Sequence, residues 1–258
     1  MSDLDWQTRQ TQLSTPFFSA IHVVLGELNT TYWPTLDQLN TIAIKRKLTN
    51  TRGTAIRFVP TEASATSAMQ YETLIGTTGE IPTRENWHDL LNALQWLSFP
   101  HAKAAINAQH VKRISAGKRS VERDVLTMFD ESGIIVACAD ATLLQLIRDF
   151  QWRELFVTRR AEVIEHMRFT LIGHGLLEKS FTPFIGITAK AMLLKVEPKS
   201  DLDTAAAAWL NTEPNLSHAR HLAPLPLLGI PGWDARNADE NFYNNATYFR
   251  AGYLKNPA

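Results

Sequence analysis

Two histidines in this 258-residue chain sit at spacings that chemistry can use. His174 and Glu178 are four residues apart in GHGLLEK, where a strand reads as giving way to a short helix. One helical turn puts both on one face, as a His–carboxylate pair that holds a divalent metal or orients a general base. The flanking glycines let the backbone approach a ligand closely, and a helix start offers N–H groups to an anion. The plainer alternative is that His174 caps the helix, Glu178 pairs with a nearby cation and the glycines make the turn. His88 and Asn92 repeat the four-residue spacing in RENWHDLLNALQWL, with Glu85 three residues before His88. The following segment, HAKAAINAQHVKRI, places Lys103, Asn107 and His110 at similar intervals. If the two segments form a helical hairpin, His88, Asn92, Asn107 and His110 converge; otherwise they decorate a solvated helix face.

From Lys103 to Arg123 the chain carries Lys103, His110, Lys112, Arg113, Lys118, Arg119 and Arg123 against one acid, Glu122. Such a run can neutralise several phosphates, but no aromatic residues are interleaved for base stacking, and a solvated loop around Gly117 explains it equally. Asp130 and Glu131 fall in Asp-Glu-Ser-Gly, which reads as turn chemistry rather than catalysis. Cys138 ends an apolar run and reads as a buried, inert thiol. Trp87, Trp96 and Trp152 read as core, His166 as exposed, and Trp233, in a Pro-Gly context, as a pocket wall.

The elements that must position these residues come next. Residues 17–28 and 34–44 are apolar enough for buried helices, the second capped by Thr35. RGTAIRFVP reads as a strand ended by Pro60, and residues 61–84 as a loop with a strand or turn inside. Trp87, Leu90, Leu91, Leu94 and Leu97 recur at helical spacing, with Thr83 as the expected N-cap; Pro100 opens the next helix, running to about Ile114. Residues 123–138 read as a β-hairpin. Residues 140–160 read as helix with Asp140 as cap, MRFTLIG and IGITAKAMLLKV as strands, and 201–210 as a helix. The apolar, Pro-rich segment 222–233 reads as an ordered loop, and the aromatic tail to 258 as packing back on the body. Without a regular βαβα alternation, the expected fold is α+β, helices packed on a small, mostly antiparallel sheet. The expected organisation is one domain over 1–258: a largely helical part to residue 60, a central region over 83–200 carrying the site, and the 222–258 tail.

Composition narrows the function classes. Twenty-six basic and 26 acidic residues cancel, so no global pull toward nucleic acid or an anionic membrane exists. One cysteine excludes an internal disulfide and a cysteine-rich zinc site. No apolar run is long enough to span a membrane and the N-terminus has no signal-peptide pattern, so the expected location is cytoplasmic. Glycine-rich nucleotide loops, the G-x-S-x-G elbow, H-E-x-x-H, kinase motifs and EF-hand loops are all missing.

The stretches RENWHDLLNALQWLSFPHAKAAINAQH, LTMFDESG, WRELF, IGHGLLEK with GITAKA, and PLPLLGIPGW, in that order from about residue 30 to about 250, resemble the bacterial family catalogued as domain of unknown function 3025. The resemblance implies a single-unit fold in Gram-negative cytoplasm and brings no activity or site residue with it.

The residues themselves point to a hydrolase or lyase acting on a small anionic substrate. His174, Glu178, His88 and Asn92 form the expected centre, and a divalent metal, if bound, would sit on His88, His174 and Glu178. Lys103, Asn107, His110, Arg123 and Trp233 are the expected substrate contacts. Two other classes stay open: a nucleic-acid- or phosphate-binding module using residues 103–123, and a protein-interaction domain using the Pro-rich loop and aromatic tail.

Overall fold

A computed structural model describes residues 3–28, 31–61, 67–115 and 120–251. Lys118, Arg119, Gly117 and the end of the tail lie outside them. Helix α1 (Asp3–Gln10) leads through 3-10 turns at Thr11–Ser14 and Pro16–Ile21 into α2 (His22–Leu28) and α3 (Leu36–Lys45). Thr35 caps α3 in a full capping box with Gln38, as its position predicts. Strand β1 (Arg57–Val59) is followed by α4 (Ala68–Thr78) and β2 (Glu80–Pro82), which pairs parallel to β1. The expected loop over 61–84 therefore contains a helix. Ser67 and Gln70 form its capping box, and Gly79 closes it at φ 74°, a left-handed conformation suited to glycine.

Helices α5 (Trp87–Ser98), α6 (Pro100–Ser115) and α7 (Val121–Ser132) come next, then β3 (Gly133–Ala137). The cap of α5 is Asn86, not Thr83, whose hydroxyl donates to the Ile81 carbonyl instead. The hairpin expected over 123–138 is half wrong. Val125, Leu126 and Phe129 are buried along α7, which starts at the Ser120 cap, so Asp130 and Glu131 ride the last helical turn. Residues 140–160 divide into α8 (Ala141–Arg148), capped by Asp140, a π-helical turn at Glu154–Thr158 and the start of α9 (Arg160–His166). Then follow β4 (Arg168–Leu171), α10 (His174–Lys179), β5 (Thr188–Leu194), α11 (Leu202–Leu210), α12 (Glu213–Leu216) and β6 (Ala223–Pro226). The Pro-rich segment is thus partly a strand. Residues 222–230 are buried but for the half-buried Pro224, which removes the apolar surface an interaction domain would need there. Within the described residues, the Trp152 indole donates to the Arg250 carbonyl, and the Tyr248 hydroxyl to that of Ile187.

The fold is α+β. Its larger sheet runs β4-β3-β5-β6, with two of the three pairings antiparallel. Alternation along β3 divides the core. Ile134 and Val136 face a layer built on α1 to α3, α5, α8 and α10; Ile135 and Ala137 face α6, α7 and α11. Both faces are covered, so β3 is buried at every position. Among the described residues no helix is long and apolar enough to cross a membrane.

Candidate metal centre

The pairing of β3 with β4 builds the site. Ile134 lies opposite Leu171, so the chain just before β3 and the chain just after β4 leave the sheet side by side. Glu131 is three residues before Ile134, and His174 three after Leu171. The crossing is tight: a Cβ on Gly173 would lie 2.4 Å from the Gly133 nitrogen, and one on Gly175 would lie 2.2 Å from Glu131 Oε2. Gly173 meets backbone and needs glycine for space, whereas at Gly175 the close atom is the movable end of the Glu131 side chain. Helix α10 also packs against α5, and this brings in His88.

His88, Glu131 and His174 each offer one donor atom, and the three atoms lie within 4.8 Å of one another. His174 Nε2 is 3.5 Å from Glu131 Oε1, and His88 Nε2 is 4.0 Å from the same oxygen. Metal bonds of about 2.0–2.2 Å in tetrahedral geometry space their donors about 3.3–3.6 Å apart, so a small rotation of the half-buried His88 completes the set. The outer nitrogens are backed by carboxylates: His88 Nδ1 lies 3.3 Å from Glu178 Oε2, and His174 Nδ1 lies 3.7 Å from Asp130 Oδ2. Asp130 is in turn ion-paired to Lys103, which is 2% exposed.

Charge and burial set the protonation. Burial drives His174 down to about 4, against the opposing pull of Asp130, so its ring is neutral at pH 7. Burial pushes Glu131 upward. It also acts to raise Asp130, but Lys103 and His174 outweigh it and hold the carboxyl below its usual range. A neutral imidazole carries one N–H. His174 has a carboxylate oxygen near each nitrogen, 3.5 Å from Nε2 and 3.7 Å from Nδ1, and Nδ1 has no hydrogen-bond partner. A cation between Nε2 and Glu131 would fit this arrangement, with Nδ1–H left to face Asp130.

These groups line a cleft of about 440 Å³ together with Tyr71, Glu72, Asn92, His110, Arg123 and Thr127. Asn92 Nδ2 donates to the Tyr71 hydroxyl at 2.8 Å, while Asn92 Oδ1, His110 Nδ1 and Arg123 Nε are buried without a partner. Burial lowers His110 to about 4. Burial raises Glu72 to about 7, and Asp130 adds to the shift. Asn107 Nδ2 opposes it by donating to Glu72 Oε2 at 2.7 Å.

Of the residues expected at the site, His88, Asn92, His110, Arg123 and His174 share this cleft. Glu178 stands behind His88. Lys103 and Asn107 line a small void of about 10 Å³ beneath the cleft floor, with Glu72 and Asp130. Trp233 packs edge-on against Phe17, ring centres 5.0 Å apart, and is not part of the cleft wall. The basic run does not present one face: Lys103 and His110 are buried, and Arg123 lines the cleft. Cys138 is buried and burial raises its thiol, as expected of an inert position. Sequence reading missed Glu72 and Tyr71 and assigned Asp130 and Glu131 to a turn. The helical spacing of Val125, Leu126 and Phe129 after Ser120 was the available signal for Asp130 and Glu131.

Residues 56–253 match the family described as "Protein of unknown function (DUF3025)", and the chain belongs to that family. No curated protein and no solved structure matches it.

Proposed function

We propose that this member of the family is a metal-dependent enzyme, a hydrolase or lyase acting on a small anionic substrate. The observation that carries the reading is His174, a neutral ring between two carboxylates, with His88 beside it between Glu131 and Glu178. His88 Nε2, His174 Nε2 and Glu131 Oε1 are the ligands; Glu178 and Asp130 orient the rings. Three protein ligands leave coordination open to water or substrate, the pattern of catalytic rather than structural sites. A divalent ion there would supply Lewis acidity and a water acidified toward neutral pH. Glu72, at about 7, is poised to take or give a proton in the cleft, and Arg123 offers a cation to the substrate's anionic group.

The test is metal content of untagged protein alongside His88→Ala, His174→Ala and Glu131→Gln. About one zinc or manganese per chain, lost in all three variants while far-UV circular dichroism is unchanged, is the expected result. Protein that takes up no divalent ion on reconstitution would overturn it. Stoichiometric iron with oxygen-dependent turnover would replace hydrolysis by oxidation, since two histidines and one carboxylate also suit iron oxygenases.

A further inference from the structure

A second cavity adjoins the cleft at Arg84. Thr61 and Arg84 line both the cleft and this second cavity of about 570 Å³. Arg84 is fixed at this junction: its Nε and Nη2 donate to the two Asp89 carboxylate oxygens at 2.9 and 3.0 Å. On the metal side of Arg84 the wall carries imidazole, carboxylate, amide and guanidinium groups alongside Ala68, Tyr71 and Pro82. On the other side it is mainly Trp33, Pro34, Leu36, Leu39, Pro60 and Leu90, and among the described residues lining it the charged ones are Arg84 and Glu85, from one short segment. Each cavity is within the roughly 300–1,000 Å³ range of small-molecule sites, and two that share walls and differ in polarity suit one molecule with two ends.

We infer that the substrate is an amphiphile, with an anionic head placed between the metal and Arg123 and an alkyl or acyl chain lying past Arg84 in the second cavity. The inference rests on the metal reading for its head and on the second cavity for its tail, so the two halves fail separately. The head needs charge: Arg123 and the metal offset the carboxylates of Asp130 and Glu131 that line the cleft beside it. The tail needs only to leave water, and the rings and aliphatic side chains of the second cavity give it that.

Binding of acetate, butyrate, hexanoate and octanoate to zinc-loaded protein, followed by calorimetry, tests it. Affinity should rise roughly threefold per methylene, approaching the transfer free energy of a buried CH₂, and then level off as the cavity fills. Leu36→Asp, at the first position of a helix that tolerates an acid, should abolish the rise. Leu36→Trp, which narrows the cavity, should make it level off at a shorter chain. Arg123→Gln should weaken the whole series by one common factor. Equal affinity for acetate and octanoate, or a rise that survives in both Leu36 variants, would overturn the inference. Protein that binds no zinc yet keeps the chain-length rise would sink the metal reading and leave the tail site standing; stoichiometric zinc with a flat series would do the reverse.

Discussion

Lys103 puts a charged ammonium in the interior, where its partner is Asp130. Removing one member of such a pair strands the other. Lys103→Met is expected to cost about 3–5 kcal/mol in urea unfolding, and adding Asp130→Asn should recover most of it. If the two losses simply add, the pair is not coupled as described. Asp130→Asn alone strands Lys103, so it should lose stability comparably to Lys103→Met, and in the protein that remains folded it should weaken metal binding roughly 10- to 100-fold, because the His174 ring loses its orienting carboxylate. Glu72 carries a separate prediction. Its carboxyl is raised from 4.5 to about 7, so the native state holds a proton that the unfolded chain has released across that window. Stability of the wild type should therefore fall, relative to Glu72→Gln, as pH rises from about 4.5 to 7, and the difference should be flat above. His174 and His110 act in the opposite sense. Their folded values near 4 give stability that is complete above 6.5 and is lost as pH falls toward 4. Urea titrations of wild type and Glu72→Gln at several pH values separate the two contributions.

At the scale of elements, the site is a product of where helices stop. Helix α7 ends at Gly133 and α10 begins after Gly173, and the two glycines touch across the start of the sheet. Gly175→Ala puts a methyl into Glu131 Oε2, so it should displace that carboxylate and lower zinc affinity at least tenfold with little change in thermal midpoint. Gly173→Ala meets backbone atoms, which cannot swing aside, and should instead lower stability by a few kcal/mol. Unchanged zinc affinity in the first variant would remove Glu131 from the ligand set. The sequence showed the α5 and α10 ligands because each opens its helix at a recognisable junction. It hid Glu131 because Asp-Glu-Ser-Gly has turn composition, and local preference for a turn was overridden by the buried stripe of α7. The α4 helix was hidden similarly: Thr, Ser and Gly dominate residues 61–84, although the capping pair Ser67 and Gln70 and the closing Gly79 were in plain view.

Across the whole molecule, the α+β class was legible because strands of period two and helices of period 3.6 alternate irregularly along the chain. The parallel pairing of β3 with β5 was not, since it depends on a crossover with no local signature. Nor was the convergence of positions 88, 131 and 174, which requires both the β3–β4 register and the docking of α5 on α10. The aromatic cluster of Trp6, Trp33, Trp87 and Phe181 is part of the same arrangement. Trp6 stacks on Trp87 at 5.3 Å, and Trp87 meets Phe181 edge-on at 4.7 Å, beside the start of α5 that carries His88 and just past the far end of α10 from His174. Trp6→Ala should therefore lower thermal stability through lost core contacts and also loosen zinc, whereas a purely local core role would leave zinc affinity unchanged.

The tight crossing at Gly133 and Gly173 also has a consequence in time. The proposed ligands belong to three helices that meet only after β3 and β4 have paired and α5 has docked, so an ion bound there would gain nothing from a partly folded chain. Its binding energy then deepens the native basin without lowering the barrier into it. Refolding should run at the same rate with or without zinc, while the lifetime of the native state lengthens by the full binding factor, so a chelator would act on this protein as a clock.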